Sequence, residues 1–225
     1  MSIPRLQHLW IQAHQRLLQG LALVLPFPRS KLLVGAGSSR QMANELRSRG
    51  WRHPLLVTDR TLMQLELPRP LQDALDAAGM SYALYDRVPE NPSLTSVEAG
   101  LQHFRSQGCD SLIAVGGGSV IDCAKGIAAR AGNPWLPLSR MEGLFRVLLP
   151  PRPLACIPTT AGSGSEASIA AVFTDPHANR KLAIADLKLI PRVVAIDPLL
   201  MLGLPPAVTA AGGMDALTHA VESYI

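Results

Sequence analysis

The chain has 225 residues, 48% hydrophobic and 17% charged, which excludes a disordered polymer and supplies core material for one full domain and part of another. Aromatic residues make up only 4%, so aliphatic side chains must fill that core. The net charge of +4 is scattered, with no run of five or six like charges and no interleaved aromatics, which argues against a nucleic-acid partner.

In chain order, residues 1–30 read as an N-terminal arm. Leu6, Leu9, Trp10, Ala13 and Leu17 share one face of an amphipathic helix. The apolar stretch 17–27 is too short to span a bilayer and is ended by Pro26 and Pro28, with no small-x-small cleavage site close behind. The expectation is a packing arm, no membrane association and a cytoplasmic protein. Cys109, Cys123 and Cys156 are odd in number, far apart and outside any CxxC, so they read as small core residues in a reducing compartment.

From residue 31 onward, short apolar runs alternate with helical patterns. Strands are expected at 31–34, 53–59, 81–85, 111–115, 154–157 and 193–196, and helices at 41–49, 71–78, 93–107 and 120–131. Ser93, following Pro92, supplies an N-cap for the third helix. Gly35-x-Gly37 reads as a turn, since Arg40 stands where a third glycine would be. Residues 133–152 are proline-rich and irregular, a surface excursion. Pro205 and Pro206 then precede a helix at 207–225 with a break at Gly212-Gly213. The fold class is α/β: a Rossmann-like, mainly parallel sheet domain over 31–202, then the incomplete start of a helical domain over 203–225.

Four segments could carry chemistry. The strand 111–115 runs into Gly116-Gly117-Gly118 and then a helix, GGGSVIDCAK over 116–125. Glycines admit backbone close to a phosphate, and the free amides and dipole at a helix start favour negative charge. The spacing is neither GxGxxG nor a P-loop. A ligand-free strand–helix turn, with Asp122 and Lys125 as first-turn surface charges, is the alternative. The segment IPTTAGSGSE (157–166) offers hydroxyls and glycines just past a strand; Ser163 with Glu166 also fits a helix capping box. Asp59 ends Val57-Thr58-Asp59 and can hold a ribose 2′-hydroxyl or simply cap a turn or helix. Asp215 and His219, four apart, share a helix face and can bind a divalent metal, although two donors are too few for a firm site.

Together these segments resemble the iron-containing alcohol dehydrogenase family, in its motif order and with GMDALTHAVE (213–222), VPENP (88–92) and Ile196-Asp197-Pro198 in place. The resemblance covers about residues 30–225. It implies a hydride transfer between a small alcohol and its aldehyde or ketone, with NAD, or alternatively NADP, as cofactor and a divalent metal as Lewis acid, iron rather than zinc. It implies that Asp59 meets the adenosine ribose, favouring NAD, and that Asn91 lines the cleft. Gly117, Gly118 and Ser119 would hold the pyrophosphate, with Asp122 nearby. Thr159, Thr160, Gly162 and Ser163 would contact phosphate, ribose or nicotinamide, and Lys181 the nicotinamide ribose. Asp215 and His219 would be the first two metal ligands. His177 matches no ligand motif. Family members are longer and take further histidine ligands from a following helical domain, so the expectation for this chain is a half-formed metal site, low activity on its own and a homo-oligomer only in full-length form. The rival reading is a non-catalytic nucleotide-binding module. Glycerol dehydrogenases and dehydroquinate synthases are related, but segment 159–166 and the Asp215/His219 pair are more similar to the alcohol dehydrogenase branch.

Overall fold

A computed structural model describes residues 28–176 and 178–224. The amphipathic segment expected at 6–17 lies outside the described residues.

Six strands form one wholly parallel sheet. They are β1 (Lys31–Val34), β2 (Pro54–Val57), β3 (Ala83–Tyr85), β4 (Ser111–Gly116), β6 (Leu154–Pro158) and β9 (Val193–Ile196), in the spatial order β1-β9-β6-β4-β2-β3. Every residue of β2, β4 and β6 is buried, which is why these strands read as unbroken apolar runs. Successive side chains point to opposite faces. Leu55, Leu112 and Ala114 join one core, while Leu56, Ile113 and Val115 join the other.

Helices cover both faces. Helix α1 (Ser38–Ser48) places Met42 and Leu46 in the second core. Helix α2 (Arg60–Gln64) is a single short turn after β2, and α3 (Arg69–Ala77) adds Leu71 and Leu75 to the same core as α1. Helix α4 (Leu94–Ser106) and helix α5 (Gly118–Gly132) pack on the first core through Val97, Phe104, Ile121 and Ile127. The expected cap of α4 is a full capping box: the Ser96 amide donates to Ser93 Oγ at 3.1 Å, and the Ser93 amide to Ser96 Oγ at 2.9 Å. Such a cap contributes about 1 kcal/mol.

A second, three-stranded sheet was not anticipated. Strands β7 (Ala170–Asp175) and β8 (Arg180–Ala185) form an antiparallel hairpin, and β5 (Gly143–Leu144) pairs with β8. Asn179 turns the hairpin in a left-handed conformation (φ 46°), which asparagine tolerates better than most residues. The excursion 133–152 is anchored by Asn133, whose side chain donates to the carbonyls of Ala129 and Leu149 and accepts the Leu149 amide.

The first and last strands in the chain, β1 and β9, are neighbours at one edge of the main sheet, and Asp197 ties the turns that follow them. Its carboxylate accepts the Gly37 and Ser39 amides at 3.0 and 3.2 Å and the Ser39 hydroxyl at 2.6 Å, across some 160 residues of sequence. It also accepts the Leu199 amide at 3.2 Å. Burial pushes this carboxyl up, but the hydroxyl and the amides outweigh burial and hold it below the usual carboxylate range.

The last helix, α6 (Pro206–Tyr224), corrects one expectation. It runs unbroken through Gly212 and Gly213. A Cβ on Gly212 would sit 2.4 Å from the Ala161 carbonyl oxygen, so the glycine serves a close backbone approach and not a break. No helix among the described residues is long and apolar enough to cross a membrane.

Candidate functional site

Between β2 and β4 the chain order reverses direction across the sheet: β3 follows β2 on one side, and β4 lies on the other. Loops leaving neighbouring strands diverge at such a point and leave a crevice at the carboxyl ends. A cleft of about 840 Å³ lies there, lined by the loops after β2, β3, β4 and β6 and by Leu204, Pro205 and Val208 from the approach to α6.

The loop after β2 begins with Thr58, buried and donating to the Val115 carbonyl at 2.9 Å, which locks β2 to β4 at this end. Asp59 follows in extended conformation. Its Oδ1 accepts the Leu62 amide at 2.9 Å, so it is the N-cap of α2 and a wall of the cleft together.

Strand β4 ends in Gly116, where a Cβ would meet the Val120 side chain at 2.6 Å. Gly117 is the N-cap position of α5, and no side chain caps that helix. The first turn of α5 therefore presents backbone donors and a positive dipole end toward the cleft that Gly117, Gly118 and Ser119 line. The Ser119 hydroxyl donates to the Glu90 carbonyl and so links this turn to the loop after β3. Asn91, next in the chain, is exposed.

The loop after β6 faces the glycine turn. The buried Thr159 donates its amide to the Gly116 carbonyl at 3.1 Å. Cβ atoms placed on the glycines measure the gap: on Gly117 one would lie 3.3 Å from Thr160 Oγ1, and on Gly118 3.2 Å from Ser165 Oγ and 3.3 Å from Ser163 Oγ. Glycine turn and hydroxyl loop thus form one concave surface that any larger residue would begin to fill. No helix starts at Ser163, so the capping-box alternative for Ser163 and Glu166 is not realised. Gly162 has φ 150°, and a Cβ there would lie 2.1 Å from the Gly212 carbonyl oxygen. It packs the loop against α6.

The alternative of Asp122 and Lys125 as first-turn surface charges is not realised. Lys125 is completely buried, and its ammonium donates to the Ser168 and Ala170 carbonyls. Asp122 Oδ2 accepts the Val172 amide at 3.0 Å. Burial raises its carboxyl above the usual range, against the pull of that amide and of Lys125. The apolar residues Ile121, Cys123, Ala124 and Ile127 are buried all round α5, which was the available sign that Lys125 would be enclosed too. Lys181 sits on β8 opposite Thr174, exposed and away from the residues that line the cleft. Sequence reasoning missed Arg60, Asp86, Arg87 and Glu90 as cleft-lining residues. Their place at the ends of β2 and β3 was the signal for them.

Asp215 and His219 share a face of α6 with Oδ1 and Nε2 3.7 Å apart, both about half exposed. Among the described residues no group of three or more His, Cys, Asp or Glu side chains is placed to hold a metal. His177 lies outside the described residues.

The sequence pattern that defines the iron-containing alcohol dehydrogenases matches residues 28–198. The chain belongs to that family. It is 43% identical over 192 residues to the lactaldehyde reductase of Escherichia coli K12, covering 85% of this chain and 50% of the relative. Among solved structures it superposes on a 1,3-propanediol oxidoreductase with a TM-score of 0.83 at 37% identity, covering 86% of this chain and 50% of that one. It superposes on the NADH-dependent butanol dehydrogenase A of Thermotoga maritima with a TM-score of 0.82 at 26% identity, covering 88% and 50%. The chain spans about half the length of these relatives. The stretch matched by the iron-containing alcohol dehydrogenase pattern holds every named cleft-lining residue except Leu204, Pro205 and Val208, and stops before Asp215 and His219.

The residues present suit a dinucleotide: a side-chain-free turn at a helix N-terminus, faced by hydroxyls, is a cradle for a diphosphate. They do not suit iron or zinc to the same degree. Catalytic zinc sites use three protein ligands, and Asp215 with His219 provides two.

Proposed function

We propose that this chain binds a nicotinamide dinucleotide, NAD in preference to NADP, along the cleft at the carboxyl ends of β2, β4 and β6. The observation that carries this reading is the meeting of the Gly117–Gly118 turn with the Thr160 and Ser163 hydroxyls across a gap that a single methyl group would narrow to contact. In this arrangement the amides of the first turn of α5 hold the diphosphate and its charge meets the helix dipole. Ser119 is held by the Glu90 carbonyl and keeps the turn open. Asp59 accepts a ribose hydroxyl on the oxygen that the Leu62 amide leaves free, and its charge disfavours a 2′-phosphate. Thr160 and Ser163 orient the ribose and nicotinamide half; family resemblance alone assigns Asn91, on the loop after β3, to the cleft and Lys181, on β8 outside the cleft lining, to the nicotinamide ribose. When bound, the nicotinamide ring accepts or gives the hydride.

In a whole protein of this kind the reaction is the interconversion of a small alcohol with its aldehyde or ketone, as the names of the relatives indicate. Asp215 and His219 are the residues through which α6 would contribute to a divalent metal, iron before zinc, acting as Lewis acid. We assign such a protein to a homo-oligomer in the cytoplasm. A second reading has its own support: with two metal donors on α6 and no third among the described residues, the chain by itself is a nucleotide-binding module without turnover.

The test is NADH fluorescence titration of the purified chain beside Gly118→Val. Saturable binding is expected for the parent, with at least about tenfold weaker binding for the variant, because a valine side chain would fill the cradle. No binding by the parent, or equal binding by both, overturns the reading. Alcohol-dependent NADH formation by the same preparation separates enzyme from module.

A further inference from the structure

Lys125 is the largest fully buried side chain among the described residues. It lies on α5 seven residues after Gly118, against the segment that joins the hydroxyl loop to β7. Its ammonium donates to the Ser168 carbonyl at 2.7 Å, the Ala170 carbonyl at 2.8 Å and the Ser168 hydroxyl at 3.1 Å, which uses all three of its protons. One turn earlier on the same helix, Asp122 takes the Val172 amide at 3.0 Å. Two opposite charges on one helix therefore grip the two ends of one five-residue stretch. Directly after Lys125, Gly126 lets the Phe173 ring approach closely: a Cβ there would meet it at 2.9 Å.

What this grip controls lies upstream. From Thr160 to Ala167 the loop's backbone amides bond locally, Ala167 to the Gly164 carbonyl at 2.9 Å and Ser165 to the Ser163 hydroxyl at 3.4 Å, and its one side-chain tie to α5 is the Ser165 hydroxyl on the Asp122 carboxylate. Its front end is fixed by Thr159 on Gly116. Its back end is fixed by Lys125 on Ser168. An ammonium buried this deeply is expensive, and a methionine would fill the space without desolvating a charge. The lysine supplies what a methionine cannot, a fixed distance between α5 and the loop.

We infer that Lys125 is a positioning residue for the cofactor cradle: by holding Ser168 and Ala170 from within α5, it sets the distance between the 160–165 hydroxyls and the Gly117–Gly118 turn that begins the same helix. One rigid helix thus carries both the diphosphate-facing turn and the post that spaces the opposite wall. The cofactor half of this inference rests on the dinucleotide reading above; the clamp itself does not.

Two variants and two readouts test it. Lys125→Met removes the clamp, and Ser168→Ala removes one acceptor of three while leaving both carbonyls. Amide hydrogen exchange of ligand-free protein is followed over 159–170, with 111–116 in β4 as internal reference, and NADH affinity is measured on the same samples. Exchange over 159–170 is expected to rise about tenfold in Lys125→Met and a few-fold in Ser168→Ala, with β4 unchanged. NADH binding is expected to weaken in the same order. If Lys125→Met does not fold, Ser168→Ala decides. Unchanged exchange over 159–170, or an equal rise in β4, overturns the clamp. Faster loop exchange with unaltered NADH affinity overturns the positioning role. If the parent binds no NADH, the dinucleotide reading falls, and exchange alone then decides the clamp.

Discussion

Gly212 and Gly213 are neighbours in one helix, yet alanine should act on them in opposite directions. In a helix interior, alanine is favoured over glycine by about 0.5–1 kcal/mol because it freezes less backbone freedom. At Gly213 nothing lies within 4 Å of where the alanine methyl would sit, so that gain is realised in full. At Gly212 the methyl falls 2.4 Å from the Ala161 carbonyl oxygen, roughly 1 Å inside ordinary contact, and the obstacle is backbone that cannot rotate away. Overpacking of this kind costs about 1–3 kcal/mol, which exceeds the propensity gain. The propensity gain is common to both, so the two variants should lie about 1–3 kcal/mol apart in the stability of α6 against its loop. The assay is amide exchange across residues 206–224, in which that gap appears as roughly 5–150-fold faster exchange in Gly212→Ala than in Gly213→Ala. Gly162→Ala, with its methyl 2.1 Å from the Gly212 oxygen at φ 150°, should reproduce the Gly212 effect from the other side. If Gly212→Ala slows exchange as Gly213→Ala does, the packing of α6 on the hydroxyl loop is wrong, and with it the near wall of the cleft.

Three further outcomes are open to measurement. Asp59→Asn keeps an acceptor for the Leu62 amide but removes the charge, so NADPH should gain on NADH by about tenfold or less in competitive titration, and an unchanged ratio would remove Asp59 from the ribose site. The Asp197 carboxyl is held below its unfolded value, so its stabilisation is complete above about pH 4 and fades as pH falls through the depressed folded value; Asp197→Asn should unfold about 2 kcal/mol more easily at neutral pH in urea, with the difference shrinking in acid. Burial pushes the Cys109 thiol up to about 11 and Cys123 to about 12, and raises Cys156 further, so iodoacetamide at about pH 8 should leave native protein unmodified while denatured protein takes up three labels.

The parallel sheet was legible because its central strands are buried on both faces and hence apolar without interruption, as in Leu112–Val115. The glycine turn was legible because a strand, three glycines and a helix leave few other conformations. The β7–β8 hairpin was missed although its alternation is present: Ala171, Phe173, Leu182 and Ile184 are buried, while Val172 and Ala183 are exposed. Each strand is short, and a turn containing Asp175 and Pro176 hides the pairing. The burial of Lys125 was not legible because a charged residue carries a strong surface prior, and only the company it keeps on α5 reveals its enclosure. The Gly212–Gly213 pair was misread because a glycine that bends a helix and a glycine that admits a neighbour look alike until the neighbour is known. The proposed roles of Asn91 and Lys181 came from resemblance alone, and the folded chain leaves both exposed.

The Asp197 tie also bears on how the chain is made. Strand β1 is the first of the described strands to leave a ribosome, but its one partner in the sheet is β9, and the carboxylate that fastens the turn after it arrives some 160 residues later. Until then neither edge of β1 has a strand partner, and Leu33 lacks the core that it packs against in the folded chain. The oldest strand is thus the last to be sealed, and a nascent chain halted anywhere before residue 197 leaves those edges open to any passing strand.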